Sequence, residues 1–129
     1  MDEQPPQAVI INQVTNSNRG IGTLSHIIGP FGIFIGGLGL FIPLIIWLIK
    51  TNDYQQTDPL LESHLRESAN ASLTFFFAGI VHSILIFVFF IGCFTIAVHW
   101  LLYLIWAINA NSALKAGQGY RYPFTIHIL

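Results

Sequence analysis

Residues 68–114 read SANASLTFFFAGIVHSILIFVFFIGCFTIAVHWLLYLIWAINANSAL, 47 residues without one Lys, Arg, Asp or Glu. A helix rises ~1.5 Å per residue and the hydrocarbon layer of a bilayer is ~30 Å thick, so one crossing takes roughly 20 residues and two crossings with a tight turn roughly 45. The stretch is too long for one span and the right length for two. A second charge-free run, Ile27 to Ile49, has 23 residues and the length of another crossing. Together they predict an all-α integral membrane protein with three transmembrane helices, at about residues 27–49, 71–90 and 94–113.

The rest of the composition agrees with a single membrane domain. Of 129 residues, 53% are hydrophobic and 9% charged, which suits a lipid bilayer as the main partner. A net charge of −1 supplies no basic stripe, which argues against nucleic acid. The N-terminus, Met1-Asp-Glu-Gln-Pro-Pro, has no basic region ahead of the first apolar run, so the first span is expected to stay in the mature chain. The single cysteine, Cys93, forbids an internal disulfide and reads as a small apolar residue.

Residues 1–20 are expected as a flexible tail and 21–129 as the membrane domain. Trp47 and Lys50 close the first span as interfacial anchors. In the polar segment that follows, Asp58-Pro59 reads as a helix start, because proline loses nothing at the first helical position and the carboxylate favours the positive helix end. Leu61, Leu65 and Ala69 then share one face, and Glu62, Arg66 and Asn70 another. This is an amphipathic cytoplasmic lead-in to the second span. Ile91-Gly92-Cys93 is the expected turn between spans two and three. Gly117 and Gly119 stop the third, and an extended C-terminal tail follows, with Phe124, Ile126 and Ile128 alternating against Thr125 and His127.

Three spans place the two termini on opposite sides. Lys50, Arg66, Lys115 and Arg121 fall with the polar loop and the C-terminus, and Arg19 alone falls on the other side. The positive-inside rule then predicts a multi-pass protein with its N-terminus outside and its C-terminus cytoplasmic, and the family likeness described below implies that the membrane is the bacterial inner membrane.

Two patterns stand out as candidate sites. Ser25, Gly29, Gly32, Gly36, Gly39 and Pro43 step by four or three and collect on one narrow helix face, with Gly32 and Gly36 spaced as a close-packing pair, and such small-residue faces drive packing in lipid. The face serves internal packing, a homo-oligomer seam, or a pore or broken-helix site at Gly36-Gly37 and Pro43. His82 and His99 are ionisable groups near the bilayer middle, where such groups are functional suspects. On adjacent helices they are candidates for axial haem ligation, against a plain hydrogen-bonding role. No Asp or Glu lies inside a predicted span, which excludes an aspartyl intramembrane protease, and no HExxH motif is present for zinc. No cofactor or metal is assigned.

Four separated pieces carry a family likeness. They are Leu24-Ser-His26, Pro43-Leu-Ile-Ile-Trp47-Leu-Ile-Lys50, His64-x-x-Glu67-x-Ala69-Asn70, and Ala110-Asn111 followed by Gly119-Tyr-Arg-Tyr-Pro123. In order and spacing the chain resembles small bacterial membrane proteins of unknown function related to the twenty-kilodalton component Tic of chloroplast protein import. The resemblance implies a compact helical membrane domain whose polar loop and tail meet at one surface, around His26, Trp47, His64, Glu67, Asn70, Arg121, Tyr122 and Pro123. The function expected is a non-enzymatic interaction or assembly component, as a homo-oligomer or in a larger membrane complex. The alternatives are a small transporter or channel-like component and a haem-binding electron-transfer protein.

Overall fold

The computed structural model describes residues 7–129, with side chains from Arg19 onward apart from that of Phe89. Four α-helices follow in order: α1 (Gln7–Phe31), α2 (Ile42–Thr57), α3 (Pro59–Phe89) and α4 (Ile91–Lys115). Two 3-10 turns, Gly32–Ile35 and Leu38–Phe41, lie between α1 and α2. Among the described residues two helices, α3 and α4, are long and apolar enough to cross a membrane.

Asp58 starts α3, its side chain accepting from the Leu61 amide at 3.1 Å, with Pro59 in the first helical position where its missing N–H leaves nothing unpaired. The polar lead-in and the apolar span are thus one helix. Leu61, Leu65 and Ala69 are buried. The chain reverses at Phe90, which takes the left-handed conformation (φ 56°), rather than at the expected Gly92. Gly92 is needed one step later, where α4 closes on α3 and a β-carbon would collide with the His82 carbonyl and Ile86. At its far end α4 stops in a Schellman arrangement: the Gly117 amide donates to the Leu114 carbonyl at 3.1 Å and the Gln118 amide to Ala113 at 2.9 Å, with Gly117 at φ 71°.

The first predicted span, 27–49, is not one helix. α1 ends at Phe31, just after Pro30, and Gly36 and Gly37 take φ of 68° and 79°. These are values that glycine reaches without steric cost. The chain turns back on itself there, so that the backbones of Gly32 and Gly39 touch. α1 and α2 therefore form a hairpin. Proline supplies no amide and disturbs the helix end, and the Pro30 carbonyl instead accepts from the Trp100 indole at 2.7 Å. Ile33 near the tip of the hairpin lines a surface cavity with Gly79, Ile80 and Ile96. That level is ~14 Å along α3 from the Phe90 turn at 1.5 Å per residue.

The hairpin moves the start of the chain. The Arg19 guanidinium donates to the Lys115 carbonyl at 2.8 Å, so Arg19 sits at the same end of the α3–α4 pair as the tail. The expected opposition of the two ends rested on an unbroken first span, and the reversal at Gly36-Gly37 removes it. Residues 7–20, expected as a flexible tail, are helical from Gln7, continuous with a packed helix and so spared a separate nucleation cost. The expectation for residues 1–6 lies outside the described residues.

Candidate functional site

At the end of the bundle where α1 enters and α4 leaves, the polar residues of the middle of the chain meet those of the tail. α1 brings Ser25 and His26 to α3, which presents His64, Glu67, Ser68, Asn70 and Thr74 along one side. The Ser25 hydroxyl donates to Ser68 Oγ at 3.0 Å, and Ser68 donates back to the Ser25 carbonyl at 2.7 Å. Both serines are fully buried.

His26 and His64 sit at the centre, both fully buried. His64 Nε2 lies 2.7 Å from the Gln118 carbonyl, which can only accept, so that nitrogen carries a proton. In the neutral ring His64 Nδ1 is then an acceptor for His26 Nε2–H at 3.0 Å. His26 Nδ1 accepts in turn from the Tyr122 hydroxyl at 2.9 Å. Burial, followed by the neighbouring Tyr103, Tyr120 and Glu67, pushes the Tyr122 phenol well above its usual range, so it remains a donor. The whole chain of bonds runs one way, from Tyr122 through both imidazoles to Gln118. It joins α1, α3 and the tail.

The tail is held along α3 by its backbone. Glu67 Oε2 accepts from the Tyr122 amide at 3.3 Å, Thr74 Oγ1 from the Ile126 amide at 3.0 Å, and Asn70 Oδ1 from Ile128 and Leu129 at 3.0 Å each. His127 Nε2 lies 3.1 Å from Glu67 Oε2 and also 3.1 Å from Arg121 Nε. A neutral ring satisfies one of these at a time, donating to the carboxylate or accepting from the guanidinium. Trp47 stands apart, at the α2–α3 junction, where its indole donates to Glu62 Oε1 at 3.0 Å beside Thr51 at 3.2 Å. Pro123 is exposed.

Of the small residues singled out in the sequence, Ser25 and Gly29 are buried on α1, Gly32 at the start of the first 3-10 turn, and Gly39 and Pro43 on the returning limb. Gly29 lies under the Tyr103 ring beside Pro43. Gly36 is not part of that contact: it forms the exposed turn with nothing near it, because the face it was assigned to requires a continuous helix.

His82 and His99 form a separate pair nearer the Phe90 turn. Thr95 donates to the Gly92 carbonyl at 3.2 Å and lies 2.9 Å from His82 Nδ1. His82 Nε2 is 3.2 Å from His99 Nδ1. The rings bond directly to each other, clamping α3 to α4, and an iron held between them would force them apart. Thr74, Thr95, Gln118 and His127 were not singled out by sequence reasoning. Polar residues inside or just after an apolar run were the available signal.

A family model described as the magnetosome magnetite crystal formation protein family matches residues 17–129. The chain belongs to the MamF/MmsF family. The matched region of this MamF/MmsF chain takes in the hairpin, the α3–α4 pair and the docked tail. No curated protein and no solved structure matches it. The finding corrects the resemblance drawn from the four sequence pieces: the matching family is the MamF/MmsF family and not one related to Tic, and the import analogy falls with it. Membership in a magnetosome membrane family fits a non-enzymatic membrane component. Neither the transporter reading nor the haem reading gains support from it.

Proposed function

We propose that the chain is a non-enzymatic assembly component of a bacterial membrane on which magnetite crystals form, located in the inner membrane or in the magnetosome membrane. The match to the magnetosome magnetite crystal formation family over residues 17–129 carries this reading. The site geometry supports it, because His26, His64, Glu67, Asn70 and Tyr122 are spent on one another and on tail backbone rather than converging on an open cleft. Such an end cap gives a small membrane protein a fixed surface for partners. The homo-oligomer or larger complex expected from the sequence belongs to the same proposal.

We place that surface, and both ends of the chain, in the cytoplasm. With α1 and α2 folded as a hairpin, Arg19 joins Lys50, Arg66, Lys115 and Arg121, so all five basic residues lie at one end of the α3–α4 pair. The positive-inside rule then points one way without a dissenting charge. The test of function is genetic. Introduced into a magnetite-forming bacterium that lacks its own family members, the chain is expected to restore crystal size and number in electron micrographs. A chain that inserts in the membrane and leaves the crystals defective rejects the reading.

A further inference from the structure

Burial divides the α3–α4 pair into two unlike halves. Toward the tail, α3 buries Leu65, Ala69 and Phe75, and α4 buries Tyr103, Ala107 and Ala110. From Phe76 round the turn to Leu102, Gly92 alone is buried among the described residues. The side chains of that half face outward, with Phe87 90% and Phe94 73% exposed.

The cause is the reach of the α1–α2 hairpin. Near its tip the Phe34 ring lies edge-on to Trp100 with 5.7 Å between centres, and Phe41 packs on Phe76 at 4.9 Å. Trp100 and Phe76 stand ~15 and ~21 Å along their helices from the Phe90 turn, about half to two-thirds of the way across a ~30 Å hydrocarbon layer. The chain reverses at Gly36-Gly37 and returns to the end it came from, where Trp47 meets Glu62. The tail adds a fifth segment to the same half, reaching Thr74 through the Ile126 amide and Trp106 through the Phe124 ring. One half of the bundle is therefore four helices and a tail, and the other is two helices.

We infer that this chain is a wedge that selects a curved lipid surface, one convex toward the end of the bundle that carries the tail. Helices of ~10 Å diameter displace about twice the area from the leaflet that holds the hairpin as from the opposite one. Lipid of the opposite leaflet fills the space beneath the tip, against the uncharged Ile, Val and Phe side chains exposed there. In a flat bilayer the mismatch crowds one leaflet and stretches the other. Bending relieves it when the crowded leaflet lies on the convex side, where there is more area, and the same effect makes shallowly inserted helices sensitive to curvature. The inference rests on the membrane placement proposed above. With the tail end in the cytoplasm, the preferred surface is a bud or vesicle projecting into the cytoplasm.

The test is the orientation the chain takes in vesicles of two sizes. On a Cys93→Ala background, Gln56→Cys marks the tail end and Phe90→Cys the opposite end; both side chains are exposed, so both variants are expected to fold. Each is reconstituted into small and into large vesicles of phosphatidylcholine and phosphatidylglycerol, and a membrane-impermeant thiol reagent is added before and after detergent. In small vesicles, whose outer leaflet is strongly convex, the share of Gln56→Cys labelled from outside is expected to rise above that in large vesicles. The share of Phe90→Cys labelled from outside should fall by the same amount. The same split in both sizes overturns the wedge and leaves the membrane placement standing, as does a shift in the opposite direction. Complete labelling of both positions before detergent means that the chain does not cross the bilayer, and then the placement falls together with the wedge.

Discussion

Tyr122 shows how much one residue in a short tail can hold. Its hydroxyl is the first donor in the series that ends at Gln118, and its backbone amide is bound to Glu67. Replacing it with phenylalanine keeps the ring and leaves His26 Nδ1 buried without a donor, a loss of about 1–3 kcal/mol. Tyr122→Phe is expected to lower the thermal midpoint in detergent. His26→Ala should lower it as well, and the double variant should fall short of the sum because the two act through one bond. Strict additivity would mean that the bond is not made. The participants at this scale were partly legible in the sequence, where His26, His64, Glu67, Asn70 and Tyr122 stood out in motif pieces. Gln118 did not, because a main-chain carbonyl leaves no trace in residue identity. Nor did Thr74, which looks like any other hydroxyl in an apolar helix.

The α3–α4 pair was readable because two crossings need a certain length of uncharged chain and residues 68–114 supply it. The α1–α2 hairpin was not, and the reason is physical. Hydropathy measures whether a segment tolerates lipid, and a chain that enters and returns tolerates it as well as one that crosses. The distinguishing marks are local: Pro30 near a helix end and the adjacent Gly36 and Gly37, which together permit a reversal that no other pair permits as cheaply. Stepping by three or four from Ser25 to Pro43 joined residues from both limbs into one apparent face. The two limbs do meet at Gly32 and Gly39, which makes an element-scale prediction. Gly32→Ala drives a β-carbon into the Gly39 backbone and should cost at the upper end of the ~1–3 kcal/mol typical of overpacking. Gly36→Ala meets no neighbour and pays only for its left-handed backbone, about 1–2 kcal/mol. Unfolding of the two variants in the same detergent should rank Gly32→Ala as the less stable, and the reverse order would argue for a continuous first helix.

Across the whole molecule, charge and topology have to agree. The single-helix reading left Arg19 on the far side from the other four basic residues, a small conflict that the hairpin removes. Reporter fusions before Gln7 and after Leu129 are therefore both expected to report cytoplasm. A thiol placed at Phe90, in the turn between α3 and α4, should be labelled from the opposite side. Labelling of the N-terminal fusion from outside would restore three crossings and reject the hairpin as the membrane form.

The bond between His26 and Tyr122 spans 96 positions, and this distance sets an order of events during synthesis. α1 and α3 leave the ribosome with both imidazoles in place and neither of their tail partners yet made. Through the whole translation of α4 the nascent protein carries two polar rings that have only each other. Insertion of the helices and completion of the fold are then separate steps in time, and the second waits for a stretch that contributes no helix at all. A released chain that ended at Lys115 would keep all four helices and leave this polar end without the partners the tail brings, open to quality-control proteases.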